Sequence, residues 1–556
     1  MSVGLIIDGY VDEPACFGVP PYISPYVRYC AGVMYSKGLD VKYFTIDQIR
    51  RLPIDHQVRS AQVIVVITGL TVPGRYRGGS PMTLKELAEL SQMPRRGFMI
   101  VGGAIRSGYA LKGGTRALDP SGALAADCIA TGDPEAVLAS WLDGGPMDGT
   151  LQRGYGQLDL WAEMGAQVVR MHPNYPLVMA ELELSRGCDR TDGRCSFCVE
   201  GVAGLREERP VESIAREVRA LSRMGVKAFR LGRCANVLGY GGQVTPQGVR
   251  PSPSRIGELY QAIRDSAPDL KVLHMDNGNP KTIATFPEES SQVLDVISKM
   301  NTPGDTVSMG LESLHPEVVR KNNLKVTLEQ ALVAVRVVNQ VGGGRPGGNR
   351  LPSLLPGLNF IVGLPGETSK TLEENRRFLT QILEEGLMVR RINIRRPMEF
   401  PGTPMGDMGG SKIDQRTYRR FKEWVRQEVD PIMFSRVAPP GTVIEDVICE
   451  ERSGNLIFGR PLGSYPPLIG IWSRDLNEGE VVNVMVTGAG PRSISAVQWP
   501  MDPNRCSLSD LQGIPGIGRA RAERIISRRP IDSMDQLISA LDDPSLAVKV
   551  ARYFAL

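Results

Sequence analysis

The sequence predicts an α/β protein in four parts: an N-terminal Rossmann-like doubly wound sheet, a central partial (β/α)6 barrel, a small β-barrel and a C-terminal helix-hairpin-helix. Three observations predict it. Short apolar strands alternate with helical stretches through residues 1–150 and again, with a longer period, through 170–436. Such alternation is how a parallel sheet covered by helices is written. Residues 437–500 turn to β formers and glycine, with turn residues at roughly every 8 to 12 positions, as in a small all-β unit, and residues 505–556 return to a helical pattern.

At 556 residues the chain is too long to be one binding module, since a domain takes roughly 150 residues. Hydrophobic residues at 42% and charged residues at 23% are ordinary globular usage and exclude a mainly disordered chain. Lys and Arg number 65 against 61 Asp and Glu, so the net charge of +4 carries no whole-chain attraction to nucleic acid or membrane. Any such argument needs a local patch. No apolar run approaches the roughly 18 residues of a membrane span, and the start of the chain reads as a strand, so a cytoplasmic protein without a membrane partner is expected.

In the first domain, strands are expected at 3–8, 41–46, 63–70, 98–103 and 128–132, with helices at 26–38, 82–92 and 134–142. Gly-rich turns at 68–79 and 102–108 follow two of these strands, where the carboxyl ends of a parallel sheet meet ligands. In the second, strands are expected at 177–184, 228–232, 272–276, 307–310, 358–363 and 391–395. The helix at 212–224 sets Ile214, Val218 and Leu221 on one stripe, as a barrel's outer helix requires. Six such units fall short of the eight of a closed barrel and predict one open on a side. The run GGGRPGG at 342–348 reads as a flexible insertion.

Of the nine cysteines, Cys16, Cys30, Cys128, Cys234, Cys449 and Cys506 stand far apart and read as buried small hydrophobes. Cys188, Cys195 and Cys198 are clustered in SRGCDRTDGRCSFC, directly after the first strand of the second domain. Three soft thiolates on one loop select an iron-sulfur cluster or, with a fourth ligand such as His172, zinc. Three ligands to a four-iron cubane leave one iron open to a substrate or cosubstrate, and the loop sits at the barrel face where chemistry is kept.

SRGC followed by CSFC resembles the radical S-adenosylmethionine (SAM) superfamily, with three residues more than usual between the first two cysteines. The resemblance implies a [4Fe-4S] cluster on Cys188, Cys195 and Cys198 whose open iron chelates SAM and whose electron cleaves it to a 5′-deoxyadenosyl radical. Phe197 resembles the aromatic that packs by the adenine. MGLES at 309–313 resembles the fourth-strand end, where Glu312 or Ser313 would bond the ribose or methionine portion, and NFIVGLPGET at 359–368 resembles the segment whose backbone flanks adenine, through Val362, Gly363 and Gly366. RRPMEFPGTPM at 395–405 resembles the sixth-strand exit. Arg230, Arg233, His274, Asp276 and Asn277 also fall at strand ends and read equally as structural hydrogen-bond partners. No catalytic residue is assigned.

The first domain is similar in placement to the Rossmann-like domains of cobalamin-dependent radical SAM enzymes and of methylthiotransferases, with VGGAIRSG and ATGDPEAVL carrying the likeness. Cobalamin and a second cluster on Cys16, Cys30 and Cys128 both stay open: IDHQVRS around His56 is not the usual cobalt-ligating pattern, and the contexts of the three thiols do not match the methylthiotransferases. The stretch from Gly441 resembles a TRAM domain, the RNA-binding barrel of tRNA methylthiotransferases. GIPGIGRARAERII at 513–526 resembles a helix-hairpin-helix, in which Gly516 and Gly518 aim backbone N–H groups at a phosphate. Five arginines at 519–529, Arg519 and Arg521 among them, against one Glu make the local basic patch that the whole chain lacks.

The full arrangement resembles a group of archaeal radical SAM proteins. It implies a SAM-cleaving enzyme that methylates or methylthiolates a structured RNA such as tRNA, held by the C-terminal domains and supplied with electrons by ferredoxin or flavodoxin. The alternatives are a radical SAM enzyme acting on a protein or small molecule, and a non-catalytic iron-sulfur nucleic-acid-binding protein.

Overall fold

Val3–Glu13 is buried along almost its whole length because both of its faces carry apolar side chains, Leu5 and Ile7 towards one helical layer and Ile6 and Val11 towards the other. A strand buried on both faces belongs at the centre of a parallel sheet. It pairs in parallel with Asp40–Thr45 and Val63–Gly69, and the sheet continues through Phe98–Gly102 to Cys128–Ile129. This is the doubly wound order 2-1-3-4-5. The computed structural model describes residues 2–13, 16–69, 79–109, 113–200, 206–409, 413–490 and 493–556. The Gly-rich turn expected at 68–79 therefore lies largely outside the described residues, while that at 102–108 forms the short helix Ala104–Ser107.

The first strand does not stop at Asp8 as the sequence suggested. A register shift between Asp8 and Val11 and a left-handed Tyr10 (φ 64°) carry it five residues further. Tyr10 and Met82 are both buried and pack in the same helix-facing core as Leu5 and Ile7. The chain then folds back through Cys16–Phe17 and delivers Tyr22–Ile23 in parallel against Met179–Glu183, the first strand of the second domain. The first domain thereby closes the side of the barrel that six strands leave open.

The six barrel strands are Met179–Glu183, Ala228–Gly232, Val272–Met275, Asp305–Glu312, Leu354–Ile361 and Arg391–Arg395. The first three form one parallel run and the last three another, joined by the single bridge Asn277–Ser308. Ile214, Val218 and Leu221 of the helix Val211–Arg223 are fully buried against the strands, as their spacing requires. The glycine-rich insertion is pinned rather than loose. Arg345 donates to the carbonyls of Arg436 (2.7 Å) and Val437 (3.0 Å), and Asn349 accepts from Val443 N–H at 2.7 Å.

Five strands then close a barrel in the order Val443–Ser453, Leu456–Pro461, Ile469–Trp472, Ile494–Gln498, Val481–Ala489. All pairs are antiparallel except Ile469–Trp472 with Ile494–Gln498. Two helical hairpins, Leu508–Gln512 with Arg519–Ser527 and Met534–Leu541 with Pro544–Ala551, share a core with this barrel through Val443, Met485 and Val497. The small barrel, on which the hairpins pack, sits at the amino-terminal end of the six parallel strands, where Tyr465 inserts from below. Its ring carries the Arg391 guanidinium at 3.9 Å and meets Phe17 edge-on at 5.6 Å. No helix among the described residues is long and apolar enough to cross a membrane.

Candidate active site

The loop bearing Cys188, Cys195 and Cys198 leaves the carboxyl end of Met179–Glu183, and its length is explained by what holds it. Asn322 and Asn323, at the end of the helix Pro316–Lys321, act as its clamp. Ser196 N–H donates to Asn322 O (2.9 Å) and Ser196 Oγ to Asn322 Oδ1 (2.7 Å), while Asn323 Nδ2 donates to the carbonyls of Asp192 (3.0 Å) and Arg194 (3.1 Å). Within the extra stretch, Asp189 accepts from Asn236 at 2.6 Å, and Asp192 pairs with Arg190 at 2.8 Å and Lys281 at 2.6 Å.

Two cations face the sulfurs. Arg190 Nη1 lies 3.1 Å from Cys195 Sγ. The Lys325 ammonium feels all three cysteines and Glu312, and these negative neighbours raise its pKa despite burial. Burial lifts the thiols, Cys198 to about 12, with Lys325 acting against the rise at all three. Three soft thiols on one loop with two cations to offset their charge fit a cluster in which each thiolate takes a different iron. Among the described residues no three His, Cys, Asp or Glu side chains are arranged as ligands of a single ion.

Around this loop the strand ends bring the other sequence-predicted residues together. Glu312 is held left-handed (φ 60°) and buried at the end of the fourth strand. Its carboxylate and the Lys325 ammonium both press on Gly310, where an added Cβ would stand 2.3 Å from Glu312 Oε1 and 2.9 Å from Lys325 Nζ. Ser313 is fully buried beside Glu367, whose carboxylate accepts from Gly363 N–H (2.5 Å) and Leu364 N–H (3.3 Å) and is raised to about 7 by burial. Gly363 (φ 117°) and Gly366 (φ 87°) make the turn that Glu367 ties. Phe197 packs against Val318, Leu324, Leu364 and Met405. The Val362 side chain joins the main core, and its N–H is taken by Arg395 O at 2.8 Å.

Several expectations change. His172 lies seven residues before the first barrel strand, at the end opposite the thiol loop, where its ring packs against Tyr43 and accepts from Asn174 N–H, so it is no zinc ligand for these cysteines. His274 also belongs to that far end. Its Nδ1 accepts from Ser464 N–H at 2.7 Å and its Nε2 meets Thr302 O at 3.1 Å. Arg230 is the centre of a buried triad with Glu181 and Asp276, and Arg233 pairs with Glu183 at 3.4 Å and covers the Tyr26 ring, so these residues build the barrel interior.

Cys16 faces Glu13, Glu181 and Arg233; Cys30 faces Glu135, Asp133 and Arg153; Cys128 sits by Asp127 and Asp148. These are three separate surroundings. The basic patch on the hairpin is largely neutralised from within: Arg519 pairs with Glu523 (2.8 Å), Arg521 with Asp543 (3.3 Å) and Gly516 O (2.8 Å), and Arg524 with Asp542 (3.8 Å). Gly516 and Gly518 remain exposed.

Sequence reasoning missed Lys325, the Asn322–Asn323 clamp and Asp12. Asp12 reaches the barrel interior from the first domain, where burial lifts its pKa to about 6 against the pull of Arg395, Arg391 and Arg230. No spacing signal marks any of these, since each acts on a partner distant in sequence.

Residues 182–379 match the family model of the radical SAM superfamily. An uncharacterised protein of Archaeoglobus fulgidus is 38% identical over 544 residues, which is 96% of each chain. The ribosomal protein uS12 methylthiotransferase of Carboxydothermus hydrogenoformans is 24% identical over 327 residues, 55% of this chain and 64% of that one. The tRNA-2-methylthio-N(6)-dimethylallyladenosine synthase of Mycobacterium leprae is 25% identical over 332 residues, 57% of this chain and 58% of that one. Among solved structures, the cobalamin-dependent S-adenosylmethionine radical enzyme OxsB aligns at 13% identity and a TM-score of 0.44, over 78% of this chain and 56% of that chain.

Proposed function

Because the chain belongs to the radical SAM superfamily, we propose that Cys188, Cys195 and Cys198 hold a [4Fe-4S] cluster with which the enzyme cleaves SAM reductively to modify a structured RNA. The observation that carries the cofactor assignment is the three-thiol loop clamped at a barrel strand end with Arg190 and Lys325 turned to its sulfurs. When bound, the cluster supplies the electron for SAM cleavage and an open iron for its amino and carboxylate groups, the electron coming from a ferredoxin or flavodoxin.

The protein's own residues do the rest. Lys325 and Arg190 offset thiolate charge in a buried setting, where unpaired charge is expensive. Glu312 and Ser313 offer acceptors to the hydroxyls and ammonium of SAM, and the turn through Gly363 and Gly366 offers backbone to its adenine. The first domain, through Tyr22–Ile23 and the bridge of Arg116 with Glu399, and Tyr465 line the side and floor of the barrel and would limit solvent access to its interior.

For the modification itself, the separation of Cys16, Cys30 and Cys128 favours methyl transfer over methylthiolation. Cobalamin would be the methyl carrier, and we assign no residue to it. RNA is favoured by the five-stranded barrel with one parallel pair, an architecture used for oligonucleotides, by the exposed Gly516 and Gly518, and by the tRNA named for one relative. A protein or small-molecule substrate is the second reading, favoured by the attachment of the small β-barrel to the barrel end away from the thiols and by the ribosomal protein named for another relative.

Anaerobic reconstitution with iron, sulfide and cobalamin tests the first step. About four irons per chain and 5′-deoxyadenosine on dithionite reduction, both lost in Cys195→Ala, are expected; iron without SAM cleavage overturns the enzyme reading. Retained corrinoid would favour methyl transfer, and copurifying RNA separates the two substrate readings.

A further inference from the structure

The small β-barrel does not sit flush on the radical barrel. Between them, at the amino-terminal ends of the strands, lies a cavity of about 620 Å³, within the range that encloses a small organic ligand. Leu177, Leu351, Ile444, Leu462 and Pro466 give it largely apolar walls. It is on the far side of the barrel from the thiol loop, with Tyr465 and the Arg230 triad between.

Four cations and two acids also line it, and their pairing is uneven. Lys271 pairs with Asp446 at 3.3 Å and Arg350 with Glu445 at 2.7 Å. Arg390 and Lys227 take part in no ion pair among the described residues. Lys227 is exposed at the mouth, whereas Arg390 is only 7% exposed. The Arg390 guanidinium makes one long bond, to Tyr465 O at 3.4 Å, and its buried Nε has no acceptor. Burial and the neighbouring Arg391 push its pKa down to about 10 against the pull of Asp305, whose own carboxyl is raised by burial to about 8 and so left largely uncharged. A buried guanidinium is tolerated when an anion meets it. His274 and Ser464, which also line the cavity, spend their polar atoms on each other, on Thr302 and on Met275.

We propose that this seam binds a small organic anion, its carboxylate or phosphate head on Arg390 and Lys227 and its apolar body between the two barrels. Such a ligand would touch both domains at once and so fasten the small barrel and the hairpins it carries to the radical barrel. The site is independent of the SAM chemistry and goes beyond it.

Titration of the full chain with the fluorescent anion 8-anilinonaphthalene-1-sulfonate tests this. Saturable binding of one probe per chain is expected, displaced by decanoate or decyl phosphate below their micelle concentrations and not by decyltrimethylammonium. Whichever anion displaces it at the lower concentration identifies the head group. Arg390→Gln should weaken the probe at least tenfold, Arg390→Lys should restore it to within a few-fold, and Leu462→Trp should abolish binding by filling the space with all charges kept. Equal displacement by the decyl cation, or an Arg390→Lys protein that binds no better than Arg390→Gln, overturns the anion assignment. Probe binding untouched by Leu462→Trp overturns the site. Should Arg390→Gln fail to fold, the displacement series and Leu462→Trp still decide.

Discussion

Arg190 and Cys195 are joined by a contact of 3.1 Å between guanidinium and sulfur, made by a residue inside the loop that the sequence counts as extra. The longer spacing therefore brings its own donor to the thiols proposed to hold the cluster. Hydrogen bonds and positive charge at cluster sulfurs raise the reduction potential. Arg190→Met should accordingly lower the midpoint of the reconstituted cluster by tens of mV and slow dithionite-driven SAM cleavage. Arg190→Lys should recover most of the shift. Potentiometric titration followed by electron paramagnetic resonance reads it, and a midpoint unchanged in Arg190→Met with full iron content would refute the role.

Gly310 gives a second test because its lack of a side chain is what lets Glu312 and Lys325 approach. An alanine there would put its Cβ 2.3 Å from the Glu312 carboxylate, so that side chain must turn away. The Lys325 ammonium, 2.9 Å from that Cβ, can give at the far end of its flexible chain, and the thiol loop itself is not contacted. SAM affinity in Gly310→Ala is expected to fall at least tenfold, roughly 1.4 kcal/mol, while iron content stays at the wild-type level. Equilibrium dialysis with SAM against the reconstituted protein measures this. Undiminished affinity would remove Glu312 from the SAM site.

The contrast between the thiol loop and its surroundings says what a sequence can disclose. The three cysteines, the six barrel strands and the stripe Ile214, Val218, Leu221 are legible because each depends on spacing along the chain. Asp12 and Tyr465 are not, because each acts inside a domain to which it does not belong by sequence. The path of Asp12 depends on a left-handed Tyr10, and the Asp8-Gly9 pair before it marks a turn without telling that the strand resumes beyond it. The hairpin patch is legible only in part for the same reason: along the chain five arginines face one Glu, but Asp542 and Asp543 arrive from the next hairpin and pair with two of them.

That pairing separates two arginines that the motif treats alike. Arg519 is 77% exposed and tied only to Glu523, whereas Arg521 holds Gly516 O and Asp543. If the hairpin takes a phosphate, Arg519→Glu should weaken RNA binding and reduce the slope of log affinity against log salt by about one, with thermal stability unchanged. Arg521→Glu should instead lower stability, by about 1 kcal/mol for a lost ion pair replaced by like charges. SAM cleavage without RNA should be unaffected in both. Equal RNA affinity in wild type and Arg519→Glu would take the hairpin out of substrate recognition.

His274 makes the seam between the two barrels sensitive to acid. Its Nδ1 accepts from Ser464 N–H, and burial, with Arg390 and Arg230 nearby, pushes its pKa from 6.5 to about 3. A depressed folded-state value means the histidine's contribution is complete above about pH 6.5 and is lost as pH falls towards 3, at up to roughly 1.4 kcal/mol per unit. Asp305, 3.7 Å away, is raised by burial to about 8. Its sign is opposite: its contribution is complete below the ordinary carboxylate value and is lost as pH rises towards 8. Between about pH 4 and 6.5 the two slopes offset. His274→Gln keeps a side chain able to accept from Ser464 but cannot titrate, so it should uncover the Asp305 slope alone. The variant's melting temperature should then climb on acidification from pH 6.5 to about 4.5 relative to that of the wild type. Parallel pH profiles for the two proteins would mean that His274 is not held neutral in the fold.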